Sequence, residues 1–155
     1  MPDLGAVVTA ITASLSECLC NEARLRDPSL CFCGILPGGD VVYDYCDRGG
    51  EVYVRLAGIT PMLDEFNECV ARYEVNIEVG ALRCPLYLDE DGAAPSEEEQ
   101  AAAAIQQYAD MSMMHKAIMC CDLGVDYPLR IGAYQPVGPA EGCLGGFWLA
   151  TWTVD

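Results

Sequence analysis

Between residues 73 and 84 the chain alternates. Val75, Ile77, Val79 and Ala81 fall on one side, and Glu74, Asn76 and Glu78 on the other. A repeat of two is the mark of a half-buried β-strand, and an antiparallel setting fits it best. Such a strand holds only inside a sheet whose apolar face is covered. Residues 147–154 repeat the pattern, with Trp148, Ala150, Trp152 and Val154 on one face. Residues 51–59 repeat it again, with Val52, Val54 and Leu56 opposite Tyr53 and Arg55.

The covering layer has to be helical, and the sequence offers two helices. Residues 3–20 place Val7 or Val8, Ile11, Leu15 and Cys18 or Leu19 on one face, behind an Asp3 cap. Thr9, Thr12, Ser16 and Glu17 fall opposite. The second helix, roughly 97–122, opens with Pro95 and the capping box Ser96-x-x-Glu99. Glu97, Glu98 and Glu99 sit in its first turn, where the helix dipole favours negative charge. Ile105, Tyr108, Met111, Ile118 and Cys121 form its apolar stripe, and Gly124 stops it.

The remaining segments read as turns and short strands. Asp27-Pro28-Ser29 and Pro37-Gly38-Gly39-Asp40 flank a short strand at 30–36. Residues 41–45 are β-like, and Asp47-Arg48-Gly49-Gly50 turns them into a hairpin with 51–59. Residues 60–71, with Pro61, read as a connection. Residues 129–135 read as a strand, and 136–146 as the loop before the last one. A length of 155 residues suits one domain spanning 1–155. The predicted fold class is α+β: a mostly antiparallel sheet of five or six strands with two main helices packed on it.

Charge narrows the function. Lys+Arg total 8 against Asp+Glu 24, a net charge of −16. A chain that grips nucleic acid needs a basic stripe, and one that binds anionic lipid needs the same. Neither is present. Residues 4–15 are apolar but fall short of the ~20 residues that span a bilayer. Asp3 stands where a secretory leader has basic residues. The chain therefore reads as made and folded in the cytosol, with no membrane partner.

Ten cysteines are many for that compartment. Cys18-x-Cys20 and Cys31-x-Cys33 offer four thiolates to a zinc ion, although zinc ribbons use wider spacers. The alternatives are cysteines filling the core as small hydrophobes, or disulfides formed late, with Cys46, Cys69, Cys84 and Cys143 at strand ends or loops. The single histidine, His115, has no evident partner for nucleophilic catalysis. Asp89-Glu90-Asp91 lacks calcium-loop spacing. Gly142-Cys143-Leu144-Gly145-Gly146 precedes a strand rather than a helix, so it does not cradle phosphate. No catalytic, metal or cofactor site is expected.

Two runs carry a resemblance. The run Tyr134-Gln135-Pro136-Val137-Gly138-Pro139 followed by Gly142-Cys143-Leu144-Gly145-Gly146-Phe147-Trp148 resembles the ending of small neck proteins from actinobacterial long-tailed bacteriophages. Gly80-Ala81-Leu82-Arg83-Cys84-Pro85 resembles a strand end of the same proteins. Tyr134 stands where they often have Trp, and Glu141 where they often have Gly. The element order is similar to that of tail terminators.

The resemblance implies a virion structural protein and not an enzyme. Its expected form is a homo-hexameric ring in the virion neck, assembled in the host cytoplasm. Its expected neighbours are the major tail tube protein and head–tail connector proteins, with DNA passing through the lumen unbound. Six copies of a −16 chain carry about −96, a field that repels phosphate. Asp89, Glu90, Asp91, Glu97, Glu98 and Glu99 are the candidates for the acidic channel surface. Pro136, Gly138, Pro139, Gly142, Cys143, Gly145 and Gly146 are the candidates for inter-subunit or docking loops. The alternatives are another connector ring, of stopper or adaptor type, and a small cysteine-rich metal-binding or redox protein.

Overall fold

A computed structural model describes residues 3–38, 49–64, 67–86, 91–140 and 142–155. Along the chain they form α1 (Leu4–Arg26), β1 (Phe32–Ile35), β2 (Glu51–Asp64), β3 (Asn67–Arg83), α2 (Glu97–Cys120), β4 (Leu129–Ile131), β5 (Gln135–Ala140) and β6 (Cys143–Val154). The strands make one sheet in the order β1-β2-β3-β6-β4, with β5 also paired to β6. Only β1 with β2 is parallel; every other pairing is antiparallel. The α+β class is the one predicted.

The alternating strands supply the core as expected. Val75, Ile77, Val79 and Ala81 of β3 are buried beside Val52 and Val54 of β2 and Ala150, Trp152 and Val154 of β6. Ile11, Leu15 and Leu19 of α1 and Met114 of α2 close over them with no exposed surface. Each such side chain contributes about 1.5–3 kcal/mol through apolar burial.

Helix α1 begins where Asp3 accepts a hydrogen bond from the Ala6 N–H at 3.1 Å. It runs past the expected residue 20 to Arg26, and the Asp27 N–H closes it on the Ala23 carbonyl. Thr12, placed on the polar face by sequence, is buried, because its hydroxyl donates to the Val8 carbonyl at 2.8 Å and needs no water. The length also corrects the reading that no segment reaches a bilayer span. By length and mean hydropathy α1 qualifies. Here, however, Ile11, Leu15, Leu19 and Ala23 pack into the core formed with the sheet.

Three further expectations are corrected. Residues 60–71 are not a connection where they are described: 60–64 belong to β2 and 67–71 to β3, paired antiparallel with Pro61 opposite Tyr73. Proline is tolerated there because β1 pairs with β2 only as far as Val54, so no described strand needs the missing N–H. A register shift between Leu56 and Gly58 also breaks the sequence alternation. Residues 136–146 are likewise no loop, since β5 and the start of β6 fill most of them. The expected stripe on α2 holds in part: Ile118 is buried and Cys121 packs on the core, but Ile105 and Tyr108 are exposed, and Ala103, Asp110, Met113, Met114 and Ala117 face inward. Apolar side chains surround this helix, so small alanines and Asp110 select the packed face. The predicted strand at 41–45 lies outside the described residues; over Glu51–Val54 the two edges of β2 belong to β1 and β3.

Gly80 shows how tightly the second face of the sheet is filled. It pairs directly with Tyr53, whose ring lies across it. A Cβ at Gly80 would stand 2.3 Å from that ring. Gly80→Ala is expected to cost about 1–3 kcal/mol through overpacking, read as a lower urea midpoint at unchanged slope.

Candidate functional site

The acidic residues chosen from sequence divide. Asp89 and Glu90 lie outside the described residues. Asp91 is exposed in a turn. Glu97, Glu98 and Glu99 are exposed in the first turn of α2. The capping box is complete: the Glu99 N–H donates to Ser96 Oγ at 3.2 Å, and the Ser96 N–H donates to Glu99 Oε2 at 2.9 Å. Glu99 is thereby committed to the cap, which leaves Glu97 and Glu98 as solvent-facing charge.

The candidate docking residues are placed differently from the expected loop. Pro136, Gly138 and Pro139 are exposed on β5, and Gly142 occupies the turn. Cys143, Gly145 and Gly146 are buried within β6. The motif seats α2 on the sheet. Gly146 leaves room for Tyr134, whose hydroxyl would lie 2.2 Å from a Cβ there. Gln107 of α2 donates to the Gly145 carbonyl, and Trp148 Nε1 donates to the Met111 carbonyl at 3.0 Å. The Trp148 ring stands between Tyr134, at 5.3 Å, and His115, at 5.1 Å. Burial pushes the Tyr134 phenol up. His115 is exposed and serves as an aromatic neighbour.

Two ion-pair networks lock the sheet, and sequence reading singled out neither. On the helical face, Arg83 Nε donates to Asp110 Oδ2 at 2.7 Å and Nη2 donates to Oδ1 at 3.0 Å. Its Nη1 reaches Asp27, so one guanidinium joins β3, α2 and the end of α1. Burial works against the Arg83 charge, but Asp110 and Asp27 outweigh it and raise the pKa. Burial also pushes Asp27 up, yet hydrogen bonds from Ser29 and Arg83 hold it below the usual carboxylate value. On the other face, the Tyr53 hydroxyl donates to Glu78 Oε1 at 2.7 Å, and Arg55 pairs with Oε2. Burial and Glu78 push the Tyr53 phenol far above its ordinary value. Both oxygens of Asp110 and of Glu78 accept from a donor, with one guanidinium on each carboxylate and the Tyr53 hydroxyl on Glu78, which suits fastening.

The sulfurs are spent on cross-links. Cys18 joins Cys121, Cys20 joins Cys33 and Cys84 joins Cys143, with Cα separations of 6.2, 5.6 and 3.8 Å. Cys31 is disulfide-bonded as well. The two CxC pairs do not form one four-thiolate site in this structure: Cys18 and Cys20 take different partners, and no group of three or more His, Cys, Asp or Glu placed to hold a metal ion occurs among the described residues. Of the four cysteines placed at strand ends or loops, Cys84 and Cys143 pair with each other. Cys46 and the Cys69 side chain lie outside the described residues. Cys120 is a free, exposed thiol.

Two surface features remain. The first is the far end of the β2–β3 hairpin. Past Val54 β2 has no second neighbour among the described residues, and β3 gains β6 only from Tyr73 onward. The two-stranded end exposes Met62 and Leu63, with Leu63 at 69%, and Leu56 and Ile59 are exposed further back along β2. The second is a groove of about 340 Å³ between the C-terminal halves of α1 and α2, lined by Cys18, Leu25, Met113, Lys116, Ala117 and Cys120 among others. Period-two patterning could not reveal either, because both depend on which strands and helices stop short. Together they define a class: a disulfide-stapled α+β domain with an apolar arm whose edges are unpaired among the described residues. No known family pattern matches this chain, and no characterised protein matches it in sequence.

Proposed function

We propose that this protein is a bacteriophage virion structural protein, a tail terminator at the head–tail interface. Its hexameric ring would cap the tail tube, meet the head–tail connector and let DNA pass. One observation carries the reading: the far end of the β2–β3 hairpin, whose edges are open among the described residues and which holds Met62 and Leu63 in water, continued along the same β2 edge by the exposed Leu56 and Ile59. A two-stranded ribbon of that kind is marginal alone and gains its stability from a neighbour. A repeated subunit supplies that neighbour at every position of a ring.

Four further features fit. The net charge of −16 keeps passing DNA from adhering. Glu97 and Glu98 are free to face a lumen, and the exposed Pro136, Gly138 and Pro139 of β5 are free to meet a tube or connector protein. The disulfides suit a particle that is assembled in a reducing cytoplasm and cross-linked after release. A stopper or adaptor ring makes the same use of the arm and is the second reading.

Native mass spectrometry of the concentrated protein tests the proposal. A species of six chains without metal is expected, together with no retention of DNA at low salt. A monomer carrying one zinc per chain would favour the metal-binding alternative and remove the ring.

A further inference from the structure

We infer that the apolar arm of one subunit docks into the α1–α2 groove of a second copy of this chain, and that this is the contact that closes the assembly. The inference rests on the ring reading and deepens it by naming both halves of the interface.

The arm cannot reach its own groove. The Cys31 N–H donates to the Gly50 carbonyl at 3.1 Å, which fixes the chain leaving α1 beside the start of β2. The groove lies along the C-terminal halves of both helices, near that end. The arm is the opposite end of β2. Two complementary patches at opposite ends of one chain can meet only between copies, head to tail. A contact of that kind generates a ring when its rotation closes.

The surfaces match in apolarity. The arm offers Met62 and Leu63, at 44% and 69% exposure. The groove offers Leu25, at 80%, above a floor of Met113 and Ala117, and Met119, at 56%, lies on the same helix end.

The charges match as well. The chain has one lysine, Lys116, and it lines the groove. The last turn of α1 adds Arg24 and Arg26. Arg26 is paired with Glu22, the acidic residue of the groove lining. Arg55, Arg72, Arg83 and Arg130 are also in ion pairs. Among the described residues, Arg24 and Lys116 are therefore the basic side chains left outside one. The arm end carries Asp64 and Glu68 and no basic residue between them. On a chain of net −16, the free positive charge at the groove favours an acidic partner segment, and the sequence over 64–68 is acidic.

Cys120 makes the contact testable, because its free thiol lines the groove. Leu63→Cys in the full chain, treated with oxidised glutathione, is expected to give a ladder of covalent oligomers on a non-reducing gel. The ladder should vanish in Leu63→Cys with Cys120→Ser. Separately, Lys116→Glu should raise the concentration for half-assembly about tenfold, and Asp64→Lys in the same chain should restore it. Rings that form normally while the cross-link ignores Cys120 and both charge variants are silent overturn the docking and leave the ring standing. A chain that stays monomeric at every concentration removes both. Circular dichroism of each variant excludes misfolding as the cause.

Discussion

Replacing both sulfurs of the Cys18–Cys121 bridge, as Cys18→Ala with Cys121→Ala, is expected to lower unfolding stability by about 4–5 kcal/mol. The bridge closes a sequence separation of 103 residues, the longest of the three described bridges. Constraint of the unfolded chain grows with the logarithm of that length and reaches about 4.7 kcal/mol for 100 residues. For a domain of this size the melting temperature should fall by about 10 °C or more. The bridge also ties the end of α2 to α1 beside the groove, so part of the loss should appear there as faster amide exchange in both helices. Cys20–Cys33 spans only 13 residues and should be worth about 3 kcal/mol on the same scale. Chemical denaturation in a Cys120→Ser background, which prevents thiol exchange, measures both. A loss below about 1 kcal/mol for the long bridge would mean that the unfolded chain is already held compact.

The second large effect is expected at Asp110. Asp110→Ala should destabilise the fold by about 3–5 kcal/mol, because it strands the Arg83 guanidinium in a site where its side chain is 15% exposed. Asp110 is itself 5% exposed and receives Gln106 Nε2 at 3.1 Å, so the cut also leaves that amide unpaired. Arg83→Met with Asp110→Leu should recover much of the loss, since an apolar pair of similar volume avoids the buried charge. Asp27 adds a pH signature. Its folded pKa lies below the ordinary carboxylate value of 3.8, so its share of the stability is present above that value. That share drains away as the pH falls through the folded value. Urea midpoints between pH 6 and pH 3 read the slope, and Asp27→Asn should flatten it.

Much of the fold was legible because burial on one face writes a period of two or of three to four into the sequence. Val75, Ile77, Val79 and Ala81, the 148–154 strand and the capping box at Ser96 all fell where expected. The failures share a cause. Pro61, Gly138 and Pro139 look like breakers, yet each sits in a strand where a lost N–H or an odd backbone angle is tolerated. On α2, apolar residues lie all round, so the packed face was set by Asp110 meeting Arg83, a partner 27 residues away that no local pattern encodes. The cysteine pairing was illegible for the same reason. The candidate site was less legible still: the groove and the arm arise from where α1, α2, β1 and β6 end, and a sequence carries little trace of such endings.

The Cys18–Cys121 and Cys84–Cys143 bridges straddle the exposed stretch at residues 91–96 from both sides. A protease that nicks the backbone there severs the polymer without separating the fragments. Each half stays covalently bound to the other through two sulfur links, and the β3–β6 ladder remains paired between them. A part exposed to digestive enzymes outside a cell could thus be clipped and still bear load.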